Sequence, residues 1–219
     1  MTTMGIPCIY YGSEQDFDSG GRANGSDRVL RESIFGGRFG SLCTQGRYFF
    51  NEDGDLYRAL AALIDLRKKL LPLRRGRQAL HQISWNGAAC GVPHRLGDRM
   101  RSLVSWSRLF IDQEVLVAVN TDEAQPVTAY STVAPTFRVE GDQFHLIFWY
   151  APKPVAPPPS SLIVERKTEL LAVRMTLPPA SFVMYQAAPS LHRLGPSPPP
   201  DLKPWQPPAA HSGPQGHRA

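Results

Sequence analysis

Residues 4–17 read Met4-Gly5-Ile6-Pro7-Cys8-Ile9-Tyr10-Tyr11-Gly12-Ser13-Glu14-Gln15-Asp16-Phe17. A short apolar run, Ile6 to Tyr11, is stopped by Gly12 and followed by Glu14 and Asp16. That pattern predicts a buried parallel strand opening into a polar loop, with Cys8 as a small hydrophobe inside it. A strand of this kind belongs beside others in a large sheet or barrel, yet here it comes first.

Outward from the strand, residues 18–50 form a long connection punctuated by Gly20, Gly21, Gly25, Gly36, Gly37, Gly40 and Gly46. Val29 to Phe35 is expected to make a helical turn within it. The glycines do not form a phosphate-binding fingerprint, because no G-x-G-x-x-G lies between a strand and a helix. Leu56, Leu60, Leu63, Ile64, Leu70 and Leu71 then recur at helical spacing, which predicts a helix over 55–71. Glu52, Asp53 and Asp55 suit its N-terminus, Asn51 or Asp53 is the expected cap, and Pro72 is expected to stop it. The run Asn51 to Asp55 has its glycine too early for a calcium loop and lacks the acid at loop position 12.

From Gln78 to Tyr185 the apolar period changes to that of strands. They are expected at 79–85, 102–110, 115–120, 127–131, 144–150, 161–165, 170–177 and 181–186, separated by turn formers such as Gly97-Asp98 and Gly141-Asp142. So many short strands at this spacing predict an antiparallel sandwich. Pro152 to Pro159 reads as a loop, and residues 189–219, with Pro198-Pro199-Pro200, as a disordered tail.

The chain has 219 residues and a net charge of +5. Its arginines at 67–77 and 95–108 read as solvated faces rather than a nucleic-acid surface, since an apolar stripe runs through the same helix. No apolar stretch approaches the roughly 18 to 20 residues that span a bilayer, and Met1 to Met4 has no basic leader region. No membrane or nucleic-acid partner is therefore expected. A cytoplasmic location is the default, fixed by no residue. Cys8, Cys43 and Cys90 show no C-x-x-C spacing, and the six histidines, His81 and His145 among them, show no ligand spacing. No metal or cofactor is expected.

Gly5 to Gln15 resembles the last barrel strand of the α-amylase family of glycoside hydrolases. Tyr57-Arg58-Ala59-Leu60 to Lys68, with Leu73 to Arg77, resembles that family's final barrel helix and its exit. Trp106-Ser107-Arg108 and Val117 to Asp122 resemble its C-terminal β-domain. The resemblance runs from about Gly5 to Tyr185. It implies an α+β fragment: the last β/α unit of a (β/α)8 barrel over 1–77, an antiparallel β-sandwich C-terminal domain over 78–188 and the tail over 189–219. It implies action on α-glucosidic bonds, with an α-glucan or small α-glucoside as partner.

Glycoside hydrolysis needs two carboxyl groups flanking the bond, about 5 to 5.5 Å apart for retention. In the resembled family they come from middle barrel strands, and no segment here matches those motifs. Catalytic residues are therefore expected to be none, and the chain alone inactive. A complete barrel takes roughly 200 to 250 residues, so the chain reads as a fragment: a truncated gene, a mis-assigned start, or half of a split enzyme whose other chain carries the rest of the barrel. Tyr11, Glu14 and Gln15 would then line the active-site rim as substrate-binding residues, with Asp16 beyond. Glu14 would bond a sugar hydroxyl or an arginine (Arg22, Arg28 or Arg31), or simply tie down the barrel mouth. Glu14, Asp16 and Asp18 alternate on one face but would be too solvated to separate their pKa values.

The competing reading is a non-catalytic carbohydrate-binding or interaction sandwich using Trp85, Trp106, Trp149 or Tyr150. Trp106 beside Val104, and the run Phe148-Trp149-Tyr150, read instead as core.

Overall fold

The computed structural model describes residues 1–15, 50–93, 95–96, 99–100 and 102–188. The connection at 18–49, with its expected turn at Val29 to Phe35, lies outside these residues, as do Asp16, Asp18, Arg22, Arg28, Arg31, Cys43 and the tail from 189. The chain divides into two compact units, one of Gly5–Leu66 and one of Met1–Met4 with the chain from Arg67 on.

In the first unit the expected buried strand is not formed. Residues 6–10 carry no strand, and Ile6 is 96% exposed, with Tyr10, Tyr11 and Cys8 also exposed. The physical reason is the absence of neighbours: a parallel strand completes its hydrogen bonds only between partner strands, and none pairs with this run among the described residues. Gly12, at φ 86°, turns the chain into a single 3-10 turn, Ser13–Gln15.

Helix α1 spans Asp55–Lys69 and α2 spans Leu71–Arg75. The cap differs from expectation. Gly54 O accepts the first helical bond, from Arg58 N at 3.0 Å, while Asn51 Oδ1 accepts from Asp53 N at 3.0 Å in the turn before it. Asp53 instead pairs with Arg58 at 2.5 Å. Pro72 does not stop the helical path. Extended Leu70 (φ −98°, ψ 111°) breaks it, and Pro72 sits in the first turn of α2, where its missing N–H is not needed.

Among its described residues the second unit holds eleven strands: β1 Arg77–Leu80, β2 Ile83–Ser84, β3 Arg95–Leu96, β4 Arg99–Met100, β5 Leu103–Phe110, β6 Gln113–Asn120, β7 Val127–Thr132, β8 Gln143–Tyr150, β9 Ser161–Lys167, β10 Leu170–Leu177 and β11 Phe182–Ala187. β3 and β4 form a separate two-stranded ribbon. The other nine make one antiparallel sheet in the order β1-β5-β6-β11-β8-β9-β10-β7-β2. β8 and β9 pair only over Gln143–His145 with Ser161–Ile163, so the sheet folds there into two facing layers. The single strand expected over 79–85 is two strands, β1 on one edge of the sheet and β2 on the other. His81 and Gln82 carry the chain between the layers.

Strand alternation decides what fills the space between the layers. Leu116 and Ala118 of β6, Val183 and Tyr185 of β11, and Phe144, Leu146 and Trp149 of β8 meet Leu162, Val164, Val173, Met175 and Leu177 of the opposite layer in one core. β7 alternates cleanly, with Val127, Ala129 and Ser131 inward and Thr128 exposed. β6 is buried on both faces: Val115 and Val117, which point the other way, are also fully buried, on the side where α2 packs.

Gly76 joins α2 to β1 where backbone crosses backbone. A Cβ there would lie 2.3 Å from Pro72 O and 2.8 Å from Leu109 O. Gly76→Ala is expected to cost about 1–3 kcal/mol by forcing α2 away from β5. Urea denaturation of the purified chain measures it; an unchanged midpoint would show that the crossing opens freely.

Candidate functional site

Glu14 and Gln15 lie on the 3-10 turn after Gly12, and Tyr11 immediately precedes that glycine. The rings of Tyr10 and Tyr11 stand 4.8 Å apart at 30°. Gln15 Oε1 accepts from Asn51 N at 2.8 Å, so the turn is anchored to the residue that opens the approach to α1. Glu14 is half-buried. The arginines expected as its partner lie outside the described residues.

The Trp106-Ser107-Arg108 motif is split by the strand period. Trp106 and Arg108 point to the outer face of the first layer, where Trp106 Nε1 and Arg108 Nη1 both donate to Thr2 O, at 3.2 and 3.3 Å. Ser107 points inward, into a buried polar chain. His81 Nε2 lies 2.7 Å from Ser107 Oγ, and Ser107 Oγ donates to Glu114 Oε1 at 2.5 Å. Arg138 Nε donates to Glu114 Oε2 at 2.8 Å, while its other nitrogens reach Asp112 O and Ala188 O. Both side chains of that ion pair are essentially fully buried.

Serine, histidine and a carboxylate in contact invite comparison with a catalytic triad, but the order is wrong. In a triad the histidine stands between the other two and takes the serine proton. Here serine stands in the middle and donates its O–H as a hydrogen bond to Glu114, the stronger acceptor. His81 must then donate through Nε2–H, leaving Nδ1 as the base atom, 3.5 Å from Thr132 Oγ1. Ser107 is locked rather than activated, so the chain of groups ties layers together.

Beside it opens a cleft of about 580 Å³, with Gln78, His81, Thr132, Pro135, Phe137 and Leu170 in its wall. Among the described residues its lining includes no Asp or Glu, and so no carboxylate pair of the kind glycosidic chemistry requires. Among the described residues, no group of three or more His, Cys, Asp or Glu is placed to hold a metal ion. No helix among the described residues is long and apolar enough to cross a membrane.

Asn120, of the Val117 to Asp122 motif, is an anchor. Its Nδ2 donates to Gln125 O and Pro178 O, both at 2.9 Å, and its Oδ1 accepts from Asp122 N at 2.9 Å. The aromatics divide. Trp149 is in the core, Trp106 and Tyr150 are half-buried, and Trp85 is 46% exposed.

The buried network was not legible in the sequence. Its members come from β5, β6, the β1–β2 crossing and the loop before β8. The one available sign was Glu114, a carboxylate on the inward parity of an apolar strand.

No family model matches the chain, and no curated protein matches it. Among solved structures, the chain is similar to the debranching enzyme of Nostoc punctiforme (17% identity, TM-score 0.47, 84% of this chain and 28% of that one). It is similar also to the α-amylase from H. orenii (18%, TM-score 0.48, 85% and 33%), and to CldA, a cyclomaltodextrin glucanotransferase (22%, TM-score 0.47, 84% and 30%). The chain thus spans about a third or less of the length of these proteins.

Burial lowers the His81 pKa from the ordinary 6.5 to about 4. The unfolded chain therefore binds a proton at His81 before the folded one does. Stability from this residue is complete above about pH 6.5 and is lost as pH falls towards 4, by about 3 kcal/mol in all. His81→Gln should flatten that part of the pH–stability curve, measured by urea denaturation between pH 7 and 4. An unchanged slope would remove His81 as its source.

Proposed function

We propose that this chain is the C-terminal part of an α-amylase-type glycoside hydrolase acting on α-glucosidic bonds, without catalytic carboxylates of its own. The reading is carried by the order of the resembling segments and the elements they occupy. Tyr57 to Lys68 lies in α1, Leu73 to Arg77 runs through α2 into β1, and Trp106 to Arg108 and Val117 to Asn120 lie on the paired strands β5 and β6. A second support is the surface of the opening segment. Ile6, Ile9, Tyr10 and Tyr11 have the composition of a buried strand but are 42–96% exposed, an apolar edge suited to flanking strands.

In this reading residues 1–77 supply the last strand and helix of a barrel, and residues 78–188 the β-domain. Tyr11, Glu14 and Gln15 stand on the rim, where the C-terminal ends of barrel strands build the active site. Tyr11 ends the strand-like run, Gly12 turns the chain so that Glu14 and Gln15 follow directly on it, and the Gln15–Asn51 bond holds the turn. Their role is to bind and orient an α-glucan, not to break its bond. The other strands of the barrel, and the two acids, would come from polypeptide outside this chain.

Exposed Trp85 favours a second reading, a sugar-stacking surface on the β-domain.

Assay of the purified chain on soluble starch should show no reducing-end release above buffer. Turnover that disappears in Glu14→Gln would overturn the inactive reading. Retention of the chain on immobilised starch, lost in Trp85→Ala, would put the stacking surface ahead of the rim.

A further inference from the structure

The turn that follows β2 gathers donors around one side-chain carbonyl. Asn86 Oδ1 accepts from Ala88 N at 2.9 Å, from Ala89 N at 3.3 Å and from Ser84 Oγ at 3.2 Å. Ser84 Oγ in turn accepts from Gly87 N at 2.9 Å. One hydroxyl therefore touches both the amide carbonyl of Asn86 and the backbone nitrogen that follows it. Reciprocal backbone bonds between Ile83 and Gly91, at 2.8 and 2.9 Å, fix both ends of the turn.

These are the parts that an internal acyl transfer needs. Gly87 N and Asn86 Cγ are the two atoms that close a five-membered ring, and the covalent chain already holds them near each other. Attack of the nitrogen on Cγ moves negative charge onto Oδ1, where the donors already point. The Ser84 hydroxyl can take a proton at one side and give one at the other. Ser84 is 1% exposed, whereas Asn86 is exposed, so the hydroxyl is screened from water while the residue that would lose its amide lies at the surface. Gly87 sits at φ 78°, and a Cβ there would meet the Tyr130 ring and the Lys167 stem at 3.3 Å. With glycine at this position, no side chain of its own shields the attacking nitrogen.

We propose that Asn86-Gly87 is a self-modifying site, at which the turn converts Asn86 to aspartate and isoaspartate through a cyclic imide. The bond from Gly87 N to Asn86 Cγ forms as the Gly87 N–H proton passes to Ser84 Oγ and the Ser84 O–H proton passes to Oδ1. Collapse of the tetrahedral intermediate carries that proton to Nδ2, breaks the Cγ–Nδ2 bond and releases ammonia, and Ser84 is left as it began. Water then opens the imide. Attack at Cγ gives aspartate, and attack at the Asn86 backbone carbonyl carbon gives isoaspartate. The product places a carboxylate, and in isoaspartate an extra backbone methylene, between β2 and Gly91.

The test is incubation of the whole chain at neutral pH in heavy-oxygen water, followed by proteolysis and mass spectrometry at intervals. The expected result is replacement of the Asn86 amide by a hydroxyl carrying one solvent oxygen, with aspartate and isoaspartate peptides separable by chromatography. The folded chain should react about tenfold or more faster than the chain unfolded in urea, the effect of donors already in place. Ser84→Ala should bring the folded rate down to near the unfolded one. Asn86→Gln should abolish the reaction, because a six-membered ring closes far more slowly. If Ser84→Ala does not fold, the comparison of folded with unfolded wild-type chain decides alone. Conversion as fast or faster in urea, conversion confined to the other Asn-Gly pair, Asn24-Gly25, or an unchanged rate in folded Ser84→Ala would each overturn the proposal.

Discussion

Between Leu80 and Ile83 the chain leaves one layer of the sheet and joins the other, and its backbone groups must stay paired through the crossing. His81 N donates to Ser105 O on β5 at 3.1 Å, and one residue later Gln82 O accepts from Thr132 N beside β7 at 3.0 Å. The passage therefore leaves neither of these groups unsatisfied, the cost that ordinarily keeps irregular backbone at the surface. Beneath it the hydroxyls of Ser105 and Ser131 meet at 2.7 Å across the two layers. A strand that switches sheets is how a corner is made. Here it brings the two outermost strands of a nine-stranded sheet into one continuous run. The core of Phe144, Tyr185, Met175 and their neighbours is closed on that side because this passage holds.

The polar interior follows from the same closure. His81 sits at the crossing and leans on Ser107, Ser107 on Glu114, and Glu114 on Arg138. Arg138 in turn holds the carbonyls of Asp112 and Ala188 and lies 5.6 Å from the centre of the Phe144 ring. Each group finds its partner on another element, so the network specifies how strands and loops align rather than building a reactive centre. Arg108, on the other side of the same layer, donates to the carbonyls of Thr2 and Gly76 among the described residues.

Some of this was legible in the chain. The β-domain strands were, because apolar residues at every second position have one way to face a core; Val127 to Ser131 and Leu170 to Leu177 appear as expected. The helix was too, in its leucine spacing. Its ending was misread at Pro72, since proline is as compatible with a first turn as with a stop. The strand over 79–85 was read as one because periodicity follows the chain and does not register that its partners change from β5 to β7. Ile6 to Tyr11 was misread for a deeper reason: apolar content measures fitness for burial, and burial requires partners.

By itself the sequence determined which stretches are extended, which is helical, and which residues suit an interior. These depend on local spacing and side-chain chemistry. Only the tertiary structure decided that Ser107 lies between His81 and Glu114 rather than acting as a nucleophile, that Arg138 pairs with Glu114 while Arg108 donates to the carbonyls of Thr2 and Gly76, and that the opening apolar run lies exposed. Each depends on which distant backbone arrives alongside. Hydrogen bonding and desolvation act over a few ångströms, between groups that the chain separates by tens of residues.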